Sequence, residues 1–122
     1  MQILKGDMWS DGKKIMLSDL LKKIPFNQWD WYMYEIDATG IAPHGFTMSD
    51  FEDFVSSKDE GVKFSWHEIK TFSDSLNDIH HCFLAALSSP KNYDSLIKGD
   101  YSSCQALIQI FDSTEWELRI FD

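Results

Sequence analysis

Apolar positions along this chain follow two rhythms, and the switches between them predict the elements. Over residues 29–38 large side chains alternate, with Trp31 and Met33 on one side and Tyr32, Tyr34 and Ile36 on the other. That period predicts a central strand. Strict alternation then places Glu35 and Asp37 on the Trp31 and Met33 side, as carboxylates at one end of an otherwise apolar face. Thr39-Gly40 ends the strand and residues 41–45 read as a loop.

The spacing next shifts to three and four. Thr47 or Ser49 can cap a helix that gathers Met48, Phe51, Phe54 and Val55 on one side and leaves Asp50, Glu52 and Asp53 mostly elsewhere. A second helix opens on Ser65-Trp66-His67-Glu68, a capping box in which the Glu side chain returns to the cap N–H. Its buried stripe is Trp66, Ile69, Phe72 and Leu76, and residues 61–64 between the helices read as a turn or short edge strand. Over residues 79–87 a continuous apolar run erases the period, which leaves strand and helix open; strand is the expectation.

The ends are read from turns. Asp11-Gly12 predicts a hairpin joining residues 3–9 to 14–17, followed by a short helix over 18–24 that Pro25 stops. Residues 93–98 form a short helix closed by Gly99. Residues 104–111 and 116–121 flank Asp112-Ser113-Thr114-Glu115 as a hairpin in which Trp116, Leu118 and Ile120 face the core. The expected architecture is α+β, a largely antiparallel sheet with helices packed on one face and a C-terminal β-hairpin, in one domain over 1–122.

Charge changes this picture from fold to function. From Trp29 onward the chain holds 17 Asp and Glu against 6 Lys and Arg, after a slightly basic start, and the net charge is −9. Aromatic content of 15% excludes a disordered acidic tail, because such chains lack the apolar surface to offset ordering entropy. The acids therefore sit on a folded surface that repels nucleic acid and anionic membranes and attracts basic partners. The first residues lack the basic start, apolar middle and cleavage site of a signal peptide, and no apolar run is long enough to span a bilayer, so the expected location is the cytoplasm.

No chemical motif is complete. His80-His81-Cys82 beside Asp78 resembles part of a metal site, but adjacent strand residues face opposite ways and no second ligand group follows at suitable spacing. Cys82 and Cys104 read as reduced core residues, and no local signature ties either to a histidine. Close carboxylate pairs are expected by chance among 20 acids, and neither GxxxxGK[ST] nor GxGxxG occurs. No metal or cofactor is expected. The aromatics exceed what a small core readily buries: Trp66 and Trp116 are assigned to the core, while Trp9, Trp29 and Trp31 stay open as interface anchors.

The run Trp31 to Pro43, then Asp50-Phe51-Glu52-Asp53-Phe54, Ser65 to Lys70 and Phe111 to Leu118 resembles small acidic bacterial immunity proteins of contact-dependent growth inhibition and other polymorphic toxin systems. The resemblance implies a cytoplasmic protein that binds a cognate toxin domain, expected to be a basic nuclease, and occludes its active site without turnover. It carries no functional residue over. Charge places the candidate contacts at Glu35 and Asp37, at Asp50, Glu52 and Asp53, and at Asp59 and Glu60, with Asp74 and Asp78 extending the patch. Direct nucleic-acid and membrane binding are not expected, and the chain would be a monomer or small homo-oligomer. The rivals are an acidic adaptor outside toxin–immunity systems and a small Cys/His hydrolase.

Overall fold

Two long strands, paired along most of their length, hold the molecule together. They are β4 (Asp30–Gly40) and β6 (Leu76–Leu87), so the apolar run left open between strand and helix is a strand. A computed structural model describes residues 1–121. Besides these strands it has β1 (Gln2–Asp7), β2 (Trp9–Ser10), β3 (Lys13–Lys14), β5 (Val62–Phe64), β7 (Cys104–Phe111) and β8 (Glu115–Ile120). The helices are α1 (Leu17–Leu21), α2 (Met48–Ser56), α3 (Trp66–Asp74) and α4 (Tyr93–Ile97). Six strands form an antiparallel sheet in the order β1-β8-β7-β6-β4-β5, and β2 pairs with β3 in a small separate hairpin. The fold is α+β.

The first face of this sheet is hydrocarbon. Trp31, Met33, Ile36 and Ala38 of β4 pack with Ile79, Cys82, Leu84 and Ala86 of β6 and with Ile108 and Leu118, beneath α1, α2 and α3. Trp31 is fully buried and stacks on Trp66 at 5.6 Å, and its indole N–H donates to Asn27 Oδ1 at 3.1 Å. Both long helices start as their sequences require: Thr47 Oγ1 accepts from the Asp50 N–H, and Ser65 and Glu68 form the expected reciprocal box. The second face is built of Tyr32, Tyr34, Phe83, Ala85, Leu87 and Leu107, and the short α4 covers part of it through Leu96. Trp66 and Trp116 are core, as expected; of the three open tryptophans, Trp31 is buried, Trp29 half-buried and Trp9 exposed.

Three expectations are corrected. The N-terminal hairpin spans only Trp9–Ser10 and Lys13–Lys14, around Asp11 and Gly12 at φ 52° and 76°. Residues before it leave for the main sheet, because β1 finds a longer partner in β8. The first helix stops at Leu21. The third correction matters for function. The β4–β6 register slips between Met33 and Glu35, so Tyr34 is an extra residue and the alternation reverses after it. Ile36 and Ala38 thereby join Trp31 and Met33 in the core, and Glu35 lies on the tyrosine face. A second slip, around His80, turns His80 and His81 to that same face.

Gly40 closes this region. Its φ of +140° and the 2.5 Å separation of a Cβ there from the Ser75 carbonyl leave no room for a side chain. The strand end therefore lies against the α3–β6 junction, where Ser75 Oγ donates to the Ile41 carbonyl at 2.8 Å.

Candidate functional site

The bulge at Tyr34 places a carboxylate in a polar row on the second face. Tyr93 Oη donates to Glu35 Oε1 at 3.0 Å, and His81 Nε2 lies 3.4 Å from the same oxygen. On the other side of that ring Nδ1 is 3.5 Å from Asp112 Oδ1, a charge contact outside hydrogen-bond geometry that leaves Nδ1 buried without a hydrogen bond among the described residues. Burial, then the bond to Glu35 and its charge, raise the Tyr93 phenol above its ordinary pKa. Tyr34 is raised more strongly by burial, with Tyr32 and the charge of Glu60 adding to it, and its hydroxyl donates to the Lys91 carbonyl at 2.7 Å. Glu35 and Asp59 share a depression of about 210 Å³ with Tyr34, Ser56, Lys58 and Tyr93.

The nine sequence-predicted acids separate into two kinds. Asp37, Asp50, Asp53, Asp59 and Glu60 are exposed, and none has a basic group within 4 Å among the described residues. They follow one another from the end of β4, along α2, into the α2–β5 loop. Glu35, Glu52, Asp74 and Asp78 are engaged or sit elsewhere. Glu52 Oε2 accepts the Ala38 N–H at 3.0 Å and so seals the edge of β4 beyond the short reach of β5. Asp74 borders a separate depression beside Lys22 and Lys70, away from the others. Asp78 lies near Asp37, opposite Thr39, but Lys14 Nζ is 2.5 Å from it and His80 Nε2 is 3.5 Å away. The Lys14 bond, with the Ile79 N–H, holds that carboxyl below its usual range.

Two chemical readings lose ground here. Burial pushes the Cys82 thiol up to about 12, helped by Glu35, and pushes Cys104 up to about 12 as well. Cys104 Sγ–H donates to the Ala106 carbonyl at 3.2 Å, and neither sulfur has an imidazole partner among the described residues. Such thiols lack the thiolate character that nucleophilic catalysis needs. Among the described residues no group of three or more His, Cys, Asp and Glu is arranged to hold a metal ion. His80 instead bonds Ser113 Oγ through Nδ1 at 2.6 Å, in a turn where Asp112 and Ser113 have φ of 47° and 62°.

Sequence reasoning missed a groove of about 300 Å³ bounded by α3, β5 and the 41–44 loop, with Phe51 of α2 in its lining. Phe51, Phe64 and Phe72 line it with Ala42 and Val62, and His44, Lys63, His67, Glu68 and Thr71 form its rim. Its aromatics were legible as core stripes; that they line a gap depends on how α3, β5 and the 41–44 loop meet, which no residue pattern records. His44 at the rim holds a left-handed φ of 58°, followed by Gly45 at 76°.

No family model, no curated protein and no solved structure matches the chain. Among the described residues no helix is long and apolar enough to cross a membrane.

Proposed function

We propose that this protein is a cytoplasmic, immunity-type inhibitor that binds a basic toxin domain, of which a nuclease is the leading class, and blocks its active site stoichiometrically. The observation that carries the reading is that Asp37, Asp50, Asp53, Asp59 and Glu60 are all exposed and none has a basic group within 4 Å among the described residues. Asp78 and Asp100, by contrast, each sit against a lysine of the same chain. Among the described residues these five have no such lysine, which leaves their charge available to a partner that supplies the cations. A nuclease must present positive charge to hold phosphates, and an acidic surface mimics that charge and speeds encounter. The resemblance noted in the sequence points the same way, and the buried thiols weaken the hydrolase rival.

The test is co-expression with the toxin domain encoded next to it, followed by affinity purification and calorimetry at low and physiological salt. A one-to-one complex whose association slows as salt rises is the expected result. Absence of a complex at micromolar concentration overturns the proposal.

A further inference from the structure

The indole N–H of Trp66 is buried without a hydrogen bond among the described residues, in a side chain only 7% exposed. The ring it stacks on is better served, since the Trp31 N–H reaches Asn27. A buried donor with no acceptor costs stability, and folded chains keep few of them. The Trp66 ring lines a depression of about 320 Å³ bounded by α1, α3 and the segment after α1, together with Ser18, Lys22, Phe26, Lys70 and Asp74. Lys70 Nζ stands 5.4 Å from the centre of that ring. Neither lysine has a carboxylate within 4 Å among the described residues, although the chain carries a net charge of −9. Two unpaired cations against the one carboxylate of Asp74 leave this lining a single positive charge. Phe26 is 81% exposed, so little is packed against it and it can shift to let a ligand reach the indole.

We infer that this depression is a binding site for a small aromatic monocarboxylate. Lys22 and Lys70 attract the carboxylate, one of its oxygens accepts the Trp66 N–H, and its ring packs against Phe26. Hydrogen bonds to an ionised acceptor are stronger than neutral ones, and this one gives the stranded donor its partner. A single net positive charge suits a monoanion, and Asp74 disfavours a dianion such as an aryl phosphate. The volume is at the small end of ligand-sized pockets, about 300–1,000 Å³, which suits one ring with a short acidic arm. The inference is independent of the toxin-binding reading, because none of Asp37, Asp50, Asp53, Asp59 and Glu60 lines this depression.

Benzoate, benzyl alcohol, acetate and phenyl phosphate are titrated separately into the full ¹⁵N-labelled chain at low salt and followed by NMR. The chain has five tryptophans, and the Trp66→Phe variant identifies the Trp66 indole signal by its absence. Benzoate should move that signal downfield together with the amides of Ser18 and Lys70. It should bind about tenfold more tightly than benzyl alcohol, which lacks the charge, acetate, which lacks the ring, or phenyl phosphate, which carries the second charge. Lys22→Gln, a change at an exposed position, should weaken benzoate about fivefold and leave benzyl alcohol as it was. Lys98→Gln, at the end of the helix that covers the other face of the sheet, should alter neither. Benzoate that binds no better than the other three probes, or that fails to saturate by about 10 mM, overturns the site. So do shifts centred on Gln28 and Trp29 instead, a stationary Trp66 indole signal, or undiminished benzoate affinity in Lys22→Gln.

Discussion

The two faces of the central sheet are made by the same strands yet do different work. On the first, three helices cover a continuous hydrocarbon layer, and few polar atoms reach it: Asn27 accepts from the Trp31 indole, while the Trp66 indole N–H is buried without a hydrogen bond among the described residues. On the second, one short helix covers a tyrosine cluster, and the rest of the face carries Glu35, His81, Gln105, Gln109, Glu117 and Arg119 at half-buried positions. Burial free energy scales with apolar area removed from water, so the first face dominates stability. The second face depends on phenols, imidazoles and carboxylates whose bonds hold only in particular protonation states. Cover decides this difference.

The largest effect should come from emptying the first face. Trp31→Ala removes a fully buried ring that stacks on Trp66, and should lower the unfolding free energy by about 3–5 kcal/mol in urea titrations with an unchanged m-value. Tyr34→Phe on the second face removes one hydrogen bond and should cost about 1 kcal/mol; an equal loss for both variants would break the comparison. An intermediate effect is expected at Glu52, a charged pin that ties the helix layer to the sheet edge. Glu52→Ala strips the Ala38 N–H of its acceptor and should cost about 1.5–3 kcal/mol. Amide exchange at Ala38 should accelerate with it, and unaltered protection there would show that the pin is idle.

The smallest effect sharpens the comparison through pH. Tyr34 and Tyr93 keep their protons to higher pH folded than unfolded, mainly because of burial. Their contribution is therefore complete below about pH 10, the unfolded phenol value, and is lost as pH climbs above it. The buried thiols start their own loss earlier, above about pH 8.5. In the Tyr34→Phe variant the decline in unfolding midpoint above pH 10 should be shallower than in the wild type, while the loss between pH 8.5 and 10 stays the same. An unchanged slope above pH 10 would remove Tyr34 from this role.

Much of the fold was legible because its signals are local. The Ser65 box, the Asp11-Gly12 turn and the 104–111 strand are each written in a few neighbouring residues. What stayed hidden depends on pairing. Nothing around Tyr34 marks it as an extra residue, since the bulge exists only relative to β6, and every orientation beyond it follows from that slip. The candidate site was legible as charge and illegible as geometry for the same reason. Asp37 through Glu60 were identifiable as acids, but that Lys14 pairs with Asp78 while Asp53 has no basic group within 4 Å among the described residues is a fact about residues far apart in the chain.

That single inserted position at Tyr34 has a wider consequence. It works as a phase change in the strand, with odd positions turned inward before it and even ones after. Without the bulge, strict alternation through Tyr34 would turn Glu35 and Asp37 inward and Ile36 and Ala38 outward over the rest of β4, with no change in composition. A sequence comparison blind to such insertions would pair Glu35 with core positions of a relative and dismiss the likeness. Shared ancestry in this protein is therefore better sought by matching the two halves of β4 separately, each in its own frame.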